Sequence, residues 1–263
     1  MTTTPPAPTH LARDLVERWD AQQTRYIRHR AERFRTIARV VSYALEGLAA
    51  PRILDLAGGP GSLGAAVLAA IPHARVVVAD KDPALLALAA SVFADDDRVE
   101  VARIDLDDPS WTNHPRIAAA PFDAVVSSTA LHWLRPETLV RTYRSLAEIL
   151  PEGGVFLNGD HLLYDAVSAP TLRAIAAEDD AQTQAEAQAA GVEDWDRWWD
   201  ALGTHPEFAA ALAERSRVWG PELHVAPPKV TLGFHLETLR SAGFREVDTV
   251  WRYLDDHVVC ALR

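Results

Sequence analysis

The segment ILDLAGGPGSLG, residues 53–64, decides the fold. A short apolar run broken by one carboxylate leads into glycines at 58, 59, 61 and 64, and apolar residues then resume at helical spacing. A buried strand, a tight turn and a helix start fit all three features. Gly59, Gly61 and Gly64 match G-x-G-x-x-G, and Asp80 closes the next β-rich run 21 residues after Gly59, the context of a nucleotide-binding βαβ unit. Glycines let a backbone and a helix N-terminus approach a ligand closely, and a carboxylate at the second strand end accepts hydrogen bonds from two ribose hydroxyls. The spacing therefore predicts an adenosine-type ligand, the bland alternative being a glycine turn beside a solvated Asp. Asp55, inside the first strand end, would repel a pyrophosphate but could orient loop amides or a water on an ammonium group, which favours a cationic cofactor over NAD.

Outward from this unit the periodicity repeats. Apolar runs at 53–57, 76–79, 124–127 and 155–158 alternate with helical stretches such as 83–92 and 136–149, with a weaker strand at 99–104. That is the pattern of a doubly wound, mostly parallel α/β sheet. A helix near 234–242 precedes two β-rich runs, 246–253 and 257–262, whose short Asp255–Asp256 connection reads as a hairpin. Upstream, Ile27, Phe34 and Val41 recur every seven residues between Leu11 and Leu48, which is one long amphipathic helix or two. Residues 168–216 are Ala-rich, acidic and Trp-containing and break the alternation, so an inserted helical lid is expected at about 168–228. Residues 1–9, uncharged with four Thr and three Pro, are expected to be disordered, leaving 10–263 as a single domain.

Composition narrows the function. The chain has 263 residues, 48% of them hydrophobic, and no apolar run of the roughly 18 residues needed to cross a bilayer. Its 37 acidic against 26 basic residues, a formal charge of −11, disfavour a nucleic-acid partner. The single Cys260 cannot form an internal disulfide and the N-terminus lacks signal-peptide features, so a cytoplasmic protein is expected. Cys, acidic and His residues show no metal-ligand spacing, and His10, His29, His73, His114, His205, His224, His235 and His257 are scattered, so no metal is expected.

Read whole, 53–64 resembles the strand-one motif of class I S-adenosylmethionine-dependent methyltransferases of the small-molecule type. VVVADKDPALLALA at 76–89 looks like the family's second motif, ARIDLDD at 102–108 its third, PFDAVVSSTALHWL at 121–134 its fourth strand and loop, and ILPEGGVFLNGD at 149–160 its fifth. The five motifs cover about 45–165. The resemblance implies a Rossmann-like seven-stranded sheet with an antiparallel last strand, and S-adenosyl-L-methionine as cofactor. It implies that Asp55, Ala57, Gly58, Gly59 and Gly61 line the methionine end, that Asp80 and Lys81 serve the ribose, that Asp105 and Leu106 flank adenine, and that Ser127 joins the set from strand four. Ala57 departs from the pattern, standing where the family usually has a glycine.

By the same resemblance a small-molecule acceptor lies over strands four and five, beneath the N-terminal helix and the insertion. His132 and His161 are the candidate acid or base residues, either of which could equally be a packed or solvent-facing histidine. Similar loops in carboxyl methyltransferases suggest a carboxylate acceptor, which needs alignment rather than a base; a hydroxyl needs proton removal. Trp133, Tyr26 and Trp199 are candidate acceptor contacts. Six Arg fall within residues 25–39, and Arg30, three after Ile27 and four before Phe34, falls on the apolar stripe, where it could hold a carboxylate or snorkel to water. Methyl transfer to nitrogen or carbon, a nicotinamide-dependent oxidoreductase and a non-catalytic cofactor-binding protein remain the alternatives, and a homodimer is possible.

Overall fold

A computed structural model describes residues 7–220 and 225–263. Residues 1–6 of the expected N-terminal tail, and residues 221–224 of the insertion with His224, lie outside the described residues. Ala7 is buried with residues of α1, α4 and the insertion, and α1 (Thr9–Gln23) begins at Thr9. Seven strands form one sheet in the order β3-β2-β1-β4-β5-β7-β6. These are β1 (Arg52–Leu56), β2 (Arg75–Asp80), β3 (Val99–Arg103), β4 (Ala124–Ser128), β5 (Val155–His161), β6 (Glu246–Tyr253) and β7 (Asp256–Leu262). The first five run parallel, and β7 pairs antiparallel with both β5 and β6. Strand order reverses between β1 and β4, the switch point where open α/β sheets take ligands at their carboxyl edge.

Strand alternation sorts the core into two layers. Ile53, Val76, Val78, Val126 and Leu157 face α2 (Arg30–Ala44), α3 (Ser62–Ala70) and α4 (Pro83–Val92). Leu54, Val77, Val125, Phe156 and Val259 face the opposite layer, with Ile117 of α5 (Pro115–Ala118), Tyr143 and Leu146 of α6 (Pro136–Ile149) and Leu239 of α10 (Leu232–Ala242). A third cluster joins α1, the outer face of α4 and the insertion: Leu15, Trp19, Leu85 and Leu88 meet Trp198 and Leu202 of α8 (Trp195–Gly203) and Phe208. The insertion also contributes α7 (Pro170–Ala189) and α9 (Ala209–Trp219), and α9 meets the carboxyl edge where Arg215 bonds Asp82.

The N-terminal stretch is two helices. Residues 24–29 are a turn, and buried Ile27 belongs to that turn rather than to a helix face. The buried stripe of α2 consequently runs through Arg33, Ile37, Ala38 and Val41. The hairpin turn is Leu254–Asp255, with Leu254 at φ +50°, one residue earlier than the spacing suggests.

Candidate functional site

Two half-sites meet at the carboxyl edge. On the β1–β3 side, Asp55 is fully buried and its Oδ2 accepts the Gly64 N–H at 2.8 Å, while Oδ1 has no partner. Burial pushes its carboxyl up to about 7, against the opposing pull of the Gly64 amide. A Cβ on Gly58 would stand 2.5 Å from the Asp55 Cγ, so only glycine fits there. Ala57 sits at φ +54°, a left-handed conformation that explains why glycine is usual at this position and costs alanine about 1–2 kcal/mol.

Asp80 accepts the Gly59 N–H on Oδ2 and the Asp82 N–H on Oδ1, each at 2.8 Å. Burial raises its carboxyl to about 6, partly offset by the Asp82 amide. A carboxylate offers about four acceptor positions, and with the Lys81 amide also bonded to this one a position remains for a further donor. Lys81 pairs with Asp105 at 3.2 Å, Asp105 being partly exposed and Leu106 buried. Asp82 was missed in the sequence. Its Oδ1 caps α4 through the Ala84 and Leu85 amides, and its Oδ2 accepts from Arg215 Nε at 2.7 Å and Trp219 Nε1 at 3.0 Å, both on α9. The Asp-Pro pair at 82–83 was a legible cap signal; its lid partners were not.

On the β4–β5–β7 side, the turn Leu131–Trp133 brings His132 onto Asp160. His132 Nδ1 lies 2.7 Å from Asp160 Oδ1, its backbone N–H donates to Oδ2, and the His161 N–H also donates to this carboxylate. Burial alone would raise Asp160, but His132, Arg33 and His161 hold it down at about 2. His161 faces Asp255 instead, Nδ1 to Oδ1 at 3.4 Å; burial lowers it, and the bond to Asp255 with the charge of Asp256 turns the net shift upward. Asp180 of α7 joins this pair, the three offering ligand atoms within 4.8 Å of one another, a grouping that sequence spacing did not reveal.

The remaining candidates fall elsewhere. Arg30 Nη2 pairs with Asp20 at 2.7 Å and its guanidinium covers Phe34 at 4.3 Å. Tyr26 lies in the turn after α1, and its hydroxyl accepts the Trp195 backbone N–H at 3.3 Å. Trp199 packs against Trp19, Trp195 and Trp198, with Arg215 over its ring at 3.7 Å. Trp133 is half exposed beside His132. Ser127 is fully buried in the β4 layer facing α6, while the next residues, Ser128 and Thr129, reach the edge half-exposed. The guanidinium at that edge is Arg33, completely buried and bonded to Ser128 Oγ, Thr129 Oγ1, the Gly159 carbonyl and Asp256.

Residues 54–156 match the model of a family described as a methyltransferase domain. A 123-residue stretch, 45% of this chain, is 33% identical to trans-aconitate 2-methyltransferase of Streptomyces avermitilis, and spans 42% of that relative's length. Human N-acetylserotonin methyltransferase in complex with SAM superposes with a TM-score of 0.52 over 86% of this chain and 51% of its own, at 17% identity. The CurJ carbon methyltransferase does so with 0.53 over 86% and 52%, at 13% identity. The chain thus spans about half the length of these solved structures and 42% of the curated relative. Among the described residues no helix is long and apolar enough to cross a membrane.

Proposed function

We propose that the chain is a class I S-adenosylmethionine-dependent methyltransferase that transfers a methyl group to an oxygen of a small-molecule acceptor by direct displacement. The observation that carries this reading is the Asp80 carboxylate, fixed by the amides of Gly59, Asp82 and Lys81 with acceptor capacity left over, opposite the Gly58–Gly61 turn. Asp80 would hold the ribose, Asp105 and Leu106 the adenine, and the unpartnered Oδ1 of Asp55 fits the ammonium end through water. S-adenosylmethionine, when bound, supplies an electrophilic sulfonium methyl.

The protein's own contribution is alignment and exclusion of water by the lid. A carboxylate acceptor needs nothing more, whereas a hydroxyl must lose a proton. His132 suits that task, since Asp160 fixes the tautomer by accepting from Nδ1 and leaves Nε2 as the base. The carboxylate option draws support from the name of the trans-aconitate relative, and the breadth of acceptors on this fold leaves function to the site.

Isothermal titration tests the reading, with S-adenosylmethionine, S-adenosylhomocysteine and, as control, NADH on wild type and Asp80→Ala. Binding of both sulfur compounds, about 10–150-fold weaker in the variant, is expected for loss of a hydrogen bond to a charged group at about 1.5–3 kcal/mol. Folded wild type that binds only NADH, or an unchanged variant, would overturn it.

A further inference from the structure

The carboxyl end of β4 is built around a residue that the methyl-transfer chemistry does not itself require. Arg33 is fully buried on α2, yet its guanidinium spans three strands: Nη1 donates to Thr129 Oγ1 at 2.8 Å, to Ser128 Oγ at 3.3 Å and to the Gly159 carbonyl at 3.1 Å, and Nη2 pairs with Asp256. Nε has no partner. Other positions are shaped to admit this arrangement. A Cβ at Gly159 would lie 2.5 Å from Arg33 Cδ, so the stem passes where only glycine leaves room. Thr129 is held at φ +58°, which for a β-branched residue is a strained conformation. It is retained by its amide bond to the Gly159 carbonyl at 2.8 Å and by Arg33. Strain held in place at a ligand-binding edge is a pointer to function.

The hydrogen-bond directions follow from the donors. A guanidinium only donates, so both hydroxyls accept from it and must send their protons elsewhere. Ser128 Oγ and Thr129 Oγ1 lie 3.3 Å apart, so one donates to the other and one proton remains for the half-exposed edge. The edge therefore offers a hydroxyl donor polarised by a guanidinium whose charge is shared with Asp256, and a charge-assisted bond from such a donor suits a carboxylate oxygen. It lies over β4, β5 and β7, beside His132 and His161, and thus on the acceptor's side of the switch point rather than the Asp80 side.

We infer that Ser128 and Thr129, oriented by Arg33, recognise a carboxylate on the acceptor, so that the substrate class is small organic acids. This rests on the methyltransferase reading and deepens it. It concerns the group that is recognised; the methylated oxygen is that carboxylate or a hydroxyl near His132. Arg33 is a positioning residue, acting through the two hydroxyls.

The test uses the full chain, wild type, Ser128→Ala/Thr129→Val and Arg33→Lys, with S-adenosylhomocysteine bound. The probes are a panel of di- and tricarboxylates and hydroxybenzoates, each paired with its primary amide, titrated calorimetrically and then assayed for turnover with S-adenosylmethionine. Wild type is expected to prefer acids over amides, and the double variant to lose about 10–100-fold in acid affinity and KM with little change for amides. Arg33→Lys, which keeps the charge but not the fork, is expected to fall between, with KM rather than kcat affected. Affinity for S-adenosylmethionine and its decarboxylated analogue reports on the other carboxylate in the site. If the variants weaken the former and not the latter, the cradle serves the cofactor and the inference is overturned. Equal binding of acids and amides by wild type overturns it as well. Failure of wild type to bind either sulfur compound instead defeats the methyltransferase reading.

Discussion

The two half-sites are made of different materials. The β1–β3 side is mostly backbone: amides of Gly59, Gly64 and Asp82 on two carboxylates, with turns at positive φ. The β4–β5–β7 side is mostly side chain on side chain, joining residues distant in sequence: Arg33 with Asp256, His132 with Asp160, His161 with Asp255. Backbone geometry leaves a local signature of glycines and spacing, and side-chain wiring leaves none. One scaffold can therefore keep its backbone-built half while the half built of side chains is rewired.

The largest expected effects lie on the wired side. His132→Asn, which retains a donor for Asp160, should lower kcat for hydroxyl acceptors about 10²–10⁴-fold and spare carboxylate acceptors. A matched series of hydroxy and carboxylic acids measures the split, and equal losses on both would remove the distinction drawn for His132. Arg33→Met should cost about 3–5 kcal/mol in urea unfolding, because it strands Asp256 in the interior. Adding Asp256→Leu should restore much of the loss, since an apolar pair can replace a buried ion pair.

The backbone side is expected to show itself in pH dependence. Asp55 and Asp80, with folded values of about 7 and about 6 against an ordinary 3.8, bind protons more tightly folded than unfolded. Their stabilising contribution is complete below about pH 4 and fades as pH rises toward 7. Asp160, held at about 2, acts in the opposite sense: its contribution is present above about pH 4 and is lost as pH falls toward 2. Asp55→Asn should thus raise the urea midpoint more at pH 8 than at pH 5, by a difference on the order of 2 kcal/mol at about 1.4 kcal/mol per pKa unit. A parallel shift at both pH values would deny that burial governs this carboxylate. The smallest effect is Ala57→Gly: relief of the left-handed alanine, about 1–2 kcal/mol, less the added unfolded-chain entropy of about 0.4–1 kcal/mol, predicts a net gain of about 0.5–1 kcal/mol by thermal unfolding.

The same division explains what could be read in advance. Strands β1 to β5, α4 at 83–92, α6 at 136–149 and β6 at 246–253 follow from periodicity and punctuation, because each is a local amphipathic or buried run. Arg33 was legible in principle: it stands four before Ile37 and eight before Val41 on one helical face. A stripe anchored on Ile27, which is buried in the turn before α2, is rotated from this face and runs past Arg30 instead. A buried residue in a turn is apolar for the same reason as one on a helix, so period alone does not separate them. The pairing of Asp160 with His132 rather than with its neighbour His161 depends on where the Leu131–Trp133 turn lands, which no local pattern encodes.

The aromatic clustering of the lid has an optical consequence. Of the eight tryptophans, Trp19, Trp195, Trp198, Trp199 and Trp219 belong to α1 or the lid helices, while Trp111 is buried with the sheet's opposite layer. Trp199 stacks under Arg215, and Trp219 binds Asp82 beneath Lys81 at 4.8 Å, so both indoles sit in the fields of nearby charges. The ultraviolet emission of this protein is accordingly dominated by the lid and its seat rather than by the sheet, and a titration followed by fluorescence would watch the cover of the site while calorimetry watches its contents.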